Sequence, residues 1–182
     1  MATILPVEGK SPQFGQDCFI APNATIVGDV KMGDKCSIWF NAVVRGDVNS
    51  IQIGDKVNIQ DGVIIHGTYK KTSVKIGNEV SIGHNAIIHG CTLADKVLVG
   101  MGAIIMDNAE IGKNSIIAAG AVVTEGTKVE SGTIYGGIPA RKIKDIPADL
   151  ISGQIERIAE HYCIYAGWFK DVNAAKGLPN HP

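Results

Sequence analysis

Apolar side chains recur along this chain with a period of six. They fall at Phe14, Ile20, Ile26, Met32, Ile38 and Val44, again at Ile53, Ile59 and Ile65, and at Ile76, Ile82 and Ile88. A last series runs Leu93, Val99, Ile105, Ile111, Ile117, Val123 and Val129. A small side chain stands four residues beyond many of them, as at Ala24, Cys36, Ala42, Ala86, Ala103, Ala109, Ser115 and Ala121. Glycine often follows directly, as at Gly33, Gly54, Gly77, Gly83, Gly100 and Gly112. An amphipathic helix needs apolar spacing near 3.6, and a hairpin sheet needs sustained alternation. Neither is present. Short strands with a turn every six residues predict an all-β solenoid, a parallel β-helix with three hexads in each triangular coil of about 18 residues. Each coil then buries its corner residues against the coils above and below, so stability is a sum over neighbours.

The period fades after Val129 through YGGIPARKIKDIP. From about Ala148 to Val172, Leu150, Ile151, Ile155, Ile158, Ala159 and Tyr162 take helical spacing, and Pro147 suits a helix start. The expected organisation is a β-helix over 1–140, then a linker and C-terminal α-helix packed on it over 141–175. A loose tail follows over 176–182, with His181 solvated.

The six-residue frame slips three times. The step is nine from Val44 to Ile53, eleven from Ile65 to Ile76, and five from Ile88 to Leu93. All three slips surround His66, His84 and His89. Insertions in solenoids map to loops on one edge, often the functional one. With Ile53, Ile59 and Ile65 as the corners of one coil and Ile76, Ile82 and Ile88 as the next, Arg45, His66 and His89 each follow a third corner. Side chains alternate across a strand, so these three point outward in a ladder spaced about 4.8 Å per coil. Asp61 and His84 lie two residues past second corners and belong to a different edge.

Neutral imidazole is the commonest protein ligand for a metal ion, and three such ligands with one open position form the usual catalytic zinc site. Two stacked imidazoles alone make a poor one. Three copies around a three-fold axis would bring the first edge of each against the second edge of its neighbour. His66 and His89 of one copy then meet His84 of the next, and Arg45 faces Asp61 across the seam, in a ring that closes. Plainer readings stand beside this one. Each histidine can be a hydrogen-bonded surface residue, Arg45 and Asp47 a structural salt bridge, and Gln60 and Asp61 a turn cap.

The totals narrow the function classes. A formal net charge of -1, with no long run of like charges, speaks against a nucleic-acid or membrane surface. No apolar run approaches the ~20 residues of a membrane span. The opening MATILPVEGKSPQFG lacks the basic and apolar regions of a signal peptide. Cys18, Cys36, Cys91 and Cys163 are scattered without a CxxC pair, which suggests reduced, mostly buried thiols and a cytoplasmic location.

The RGD at Arg45–Asp47, the NIQDG at Asn58–Gly62, His66, and the IGHNAIIHG at Ile82–Gly90 closely resemble the gamma-class carbonic anhydrase family, and the likeness covers nearly the whole chain. The resemblance implies a left-handed β-helix, against the usual right-handed crossover rule, with a C-terminal helix and assembly as a homotrimer. It implies reversible hydration of carbon dioxide to bicarbonate by a zinc enzyme, with Fe2+ or Co2+ as alternative metals. By resemblance, His66, His84 and His89 match the metal ligands, with His84 coming from the adjacent subunit. Gln60 matches a residue that orients the metal's water, and Arg45 an interface arginine paired with Asp47 and Asp61. Asn58 and Tyr162 match pocket-lining positions. Two departures bear on proton export. Val48 stands where the best-studied members carry an acidic residue after the RGD. The short basic stretch TYKKTSV replaces an acidic loop that carries a glutamate proton shuttle. Two other function classes stay open: a metal-binding trimeric scaffold without significant anhydrase activity, and a hexapeptide acyltransferase. The histidine set and the lack of a substrate-sized insertion weigh against the transferase.

Overall fold

The computed structural model describes residues 1–175, with side chains described through 169; the tail over 176–182, with His181, lies outside the described residues. The chain winds into a left-handed parallel β-helix of about 7 turns, followed by a C-terminal helix. Three ladders of corner residues run its length. Phe14, Met32, Ile53, Ile76, Leu93, Ile111 and Val129 stack in register on the first face. On the second face, Ile20, Ile38, Ile59, Ile82, Val99, Ile117 and Tyr135 stack likewise. The third ladder is Ile4, Ile26, Val44, Ile65, Ile88, Ile105 and Val123. The coil assignment made from the period is therefore the observed one, through all three frame slips.

The core follows from strand alternation. A corner and the residue two before it both point inward, so Ile26, Ile38, Ile59, Ile65, Ile82 and Ile88 are fully buried, as are Ala24, Ala42, Val63, Val80 and Ala86. Each interior residue touches its copies one coil up and down, which makes a close-packed column without long-range crossings. Two strands, Thr25–Met32 and Val43–Ile53, run unbroken round the corner between the third and first faces. They join those faces into one 12-stranded sheet, and the second face forms a separate 8-stranded sheet. The Arg45–Asp47 segment lies in the longer of these bent strands.

The solenoid continues past Val129 as the strand Thr133–Gly136, which then pairs antiparallel with Arg141–Asp145. The helical stretch starts after Pro147 and runs to Ala175, with a π-helical portion at Ile151–Glu156. It packs on the second face. Phe19 and Trp39 from the coils meet Tyr162 and Phe169 from the helix, with ring centroids 5.0–5.4 Å apart. Lys56 and Lys96, both in left-handed turns, reach the helix carboxylates Glu160 (3.3 Å) and Glu156 (2.7 Å). Exposed pairs of this kind add little each, so the aromatic seam holds the helix. Among the described residues, no helix is long and apolar enough to cross a membrane.

Candidate metal centre

His66 and His89 stand at the ends of the strands Ile64–His66 and Ile87–His89, which pair in parallel with the two histidines in register. Their rings lie 5.4 Å apart, centroid to centroid. Arg45 follows Val44, whose rung partner is Ile65, so it stands one coil before His66 on the same edge. His84 and Asp61 occupy the edge after the second face, one coil apart, and Asp61 accepts a contact from His84 Nδ1 at 2.9 Å. The structure thus brings His66 and His89 together and keeps His84 apart from them. Among the described residues, no three His, Cys, Asp or Glu side chains of one chain come together as a metal-holding group.

Each of the three imidazoles is gripped at one ring nitrogen by a carboxylate. His66 Nε2 lies 3.1 Å from Asp47, His84 Nδ1 2.9 Å from Asp61, and His89 Nδ1 3.1 Å from Asp107. The other nitrogen of each ring is left for a ligand. A carboxylate behind an imidazole is the usual support of a metal-bound histidine, since it fixes the tautomer and raises basicity. The donor set therefore fits a divalent metal, provided a second chain brings His84 up to the pair.

The electrostatics agree. Burial, with the Arg45 charge beside it, holds the His66 pKa below the ordinary histidine value. That keeps the ring neutral, the form that binds metals. Asp47 also forms an ion pair with Arg45. Burial alone would raise the Asp47 pKa, but the hydrogen bonds from Arg45 and His66 outweigh it and hold the carboxyl below its usual range.

Gln60 and Asn58 form a buried polar string on the second face. Asn58 Nδ2 donates to Ser81 Oγ at 2.7 Å, and Gln60 Nε2 donates to Asn58 Oδ1 at 2.9 Å. Asn58 lies behind Gln60, away from solvent, and fixes how Gln60 is turned. Gln60, His84 and Tyr162 line a cleft of about 400 Å³ between the second face and the helix, together with Leu98, Met101 and Ile158. Burial, with Asp61 nearby, pushes the Tyr162 phenol up to about 12. At neutral pH it is a hydrogen-bond donor and no base.

Three groups escape a reading of the sequence. Asp107 takes the contact from His89, and Thr72 and Thr68 both donate to its carboxylate, Thr68 at 3.2 Å. Asp107 is two residues past the third-face corner Ile105, one coil beyond His89, and that shared edge is the signal that could have found it. Thr68 and Thr72 sit in the insertion between Ile65 and Ile76, outside the frame. The third group is an apolar stripe: Val43, Ile64, Ile87, Ile104 and Val122 stand in register beside the histidine ladder and are not buried. Its signal is a run of doublets, Val43-Val44, Ile64-Ile65, Ile87-Ile88, Ile104-Ile105 and Val122-Val123. The equivalent outward ladder on the first face is polar, with Lys31, Gln52, Lys75, Thr92 and Glu110.

Comparison with known proteins agrees with this architecture. The bacterial transferase hexapeptide (six repeats) model matches residues 11–46 and 90–125, and a hexapeptide repeat of succinyl-transferase matches 73–106. A carbonic anhydrase of Geobacillus kaustophilus is 41% identical over 167 residues, covering 92% of this chain and 91% of its own. The chain belongs to the gamma-class carbonic anhydrase family. The mitochondrial gamma carbonic anhydrase 2 of Arabidopsis thaliana is 40% identical over 165 residues, 88% of this chain. The chain spans 56–63% of the length of the Arabidopsis thaliana and Dictyostelium discoideum relatives. Among solved structures, a hexapeptide transferase family protein from Anaplasma phagocytophilum superposes with a TM-score of 0.87 at 38% identity, over 92% of this chain and 98% of that one.

Proposed function

We propose that this protein is a homotrimeric, metal-dependent carbonic anhydrase that interconverts carbon dioxide and bicarbonate. His66 and His89 of one subunit and His84 of the next hold one zinc ion per interface, a place that Fe2+ or Co2+ can also take. The observation that carries this reading is the split donor set. Three carboxylate-backed imidazoles lie on two edges, so the centre is incomplete without a second copy. The stripe from Val43 to Val122 supports the same assembly, because an aliphatic sheet face beside a half-site is best covered by another copy.

A divalent metal held there supplies a nucleophilic oxygen at neutral pH by acidifying water. The remaining roles belong to the chain. With Nε2 given to Asn58, Gln60 keeps Oε1 as an acceptor that orients a water in the cleft. Tyr162, protonated at neutral pH, donates to an oxygen of substrate or product. The apolar wall of Leu98, Met101 and Ile158 receives an uncharged substrate and limits bulk water. Arg45 anchors the seam, with Asp47 tying it to His66 and Asp61 opposite it on the neighbour. The two places where the resemblance puts an acidic proton carrier hold none in this chain. Val48 is apolar, Tyr69, Lys70 and Lys71 of the basic loop face solvent, and Asp47 holds a proton poorly. Export then depends on diffusible buffer, at a step where a positioned base typically contributes 10²–10⁴-fold.

Stopped-flow hydration with zinc or ferrous iron, on wild type and His84→Ala, tests the reading. The expected result is about one metal ion per chain and turnover that climbs with buffer concentration. His84→Ala should lose both metal and activity while keeping its β-sheet circular dichroism. Stoichiometric metal without hydration at any buffer level would refute the enzyme and leave a metal-binding scaffold.

A further inference from the structure

Asp107 is a carboxylate with an unusual set of neighbours. Thr72 Oγ1 and Thr68 Oγ1 both donate to it, and His89 Nδ1 lies 3.1 Å from it. Among the described residues no lysine or arginine pairs with it, so its charge is directed at the imidazole and the two hydroxyls. The loop that carries these hydroxyls is itself held. Thr68 N–H donates to Thr72 Oγ1 at 3.0 Å, and Asn49 Nδ2 donates to the carbonyls of Thr68 and Thr72, both at 2.9 Å. The segment after His66, where the frame slips by the largest step, is thus pinned to the bent strand on one side and to Asp107 on the other. Thr72 and Thr68 both face Oδ1, and Thr68 and His89 both face Oδ2, so both carboxylate oxygens serve as acceptors.

An ionised carboxylate only accepts hydrogen bonds. The His89 nitrogen facing it must then carry the proton, which leaves Nε2 bare. We propose that Asp107 is a positioning residue: clamped by Thr68 and Thr72, it locks His89 in the Nδ1–H tautomer and so presents Nε2 as the ligating atom. The inference rests on the metal reading above and gives the inserted loop a task. The loop holds the second-line carboxylate of one ligand, in the way that outer carboxylates support metal-bound histidines.

Histidine nitrogen resonances of the metal-free, full-length protein test the lock without any metal. The wild-type His89 ring should report Nδ1–H; in Asp107→Ala it should shift toward Nε2–H, and in Thr72→Val it should become a mixture. Zinc affinity, from competition with a chelating dye, should fall 10–100-fold in Asp107→Ala, as losses of outer partners typically do. Asp107→Asn keeps the shape without the charge and serves if the alanine variant folds poorly; its affinity should fall between the two. A wild-type His89 found as Nε2–H, or an unchanged zinc affinity in both Asp107 variants, overturns the proposal. A wild type that takes up no zinc refutes the metal reading and the purpose of the clamp, while an Nδ1–H signal in that same protein still identifies the hold on His89.

Discussion

Replacing Gly90 by alanine should damage the candidate centre more than any other glycine substitution of the same backbone type. Gly90 adopts φ 56, and a Cβ there would lie 1.9 Å from Asp107 Oδ1 and 2.2 Å from Thr72 Oγ1. The left-handed conformation alone costs an L residue about 1–2 kcal/mol. The contacts are too short to absorb, so Asp107 and Thr72 must swing apart and the bonds to His89, Thr72 and Thr68 loosen. Water can reach the displaced carboxylate, so each lost bond counts at about 1 kcal/mol, near the net value for a protein hydrogen bond. The total is about 4–5 kcal/mol. Gly132 is the control: its φ is 70, but a Cβ added there meets nothing within 4 Å. Gly132→Ala should cost only the backbone term. Urea unfolding of both variants should give stabilities that differ by about 3 kcal/mol in favour of Gly132→Ala, read as a shifted midpoint at unchanged slope. Zinc affinity should fall in Gly90→Ala alone. Equal midpoints and equal zinc affinities would refute the idea that Asp107 and Thr72 are tightly held behind His89.

The remaining expectations concern the assembly and pH. Ile87→Asp puts a charge in the middle of the aliphatic stripe while Ile88 stays in the core; sedimentation velocity should show monomers with unchanged circular dichroism, and an intact trimer would place the interface elsewhere. Asp47 and Asp107 both titrate below the ordinary carboxylate range. Their stabilisation is therefore fully present above about pH 4, the unfolded value, and is lost as pH falls through the folded ones. Melting temperature should drop more steeply in acid for wild type than for the Asp47→Asn, Asp107→Asn double variant, and parallel curves would show that these two groups do not carry the acid sensitivity.

The column was legible in the chain because its physics is periodic. Every corner from Phe14 to Val129 is a large apolar residue whose neighbours on the ladder are its own copies, so counting by six recovers the registers even across the slips. The series continues at Tyr135, which an aliphatic pattern passes over because this corner is aromatic. The strand Arg141–Asp145 was invisible for the opposite reason: all five residues are exposed, so no burial stamps a pattern on them. The histidines were legible because they keep the frame. Thr68 and Thr72 were not, because hydrogen bonding in an insertion has no period, and Asp107 bonds to a residue eighteen positions away through a coil, a relation only the registers reveal.

The distance between His66 and His89 is set by a single rung of parallel backbone pairing, and that has a consequence for selectivity. Rung height is a constant of peptide geometry, close to 4.8 Å whatever the sequence. Substitution can turn the two rings, but it cannot bring their backbones nearer or spread them. If the proposed centre holds a metal, any preference for one ion over another of different radius must then be written in side-chain torsions and in how far the opposing edge leans in. The same gauge sits at every rung of the stack. A histidine pair built at another level of this column would start with the same spacing already set.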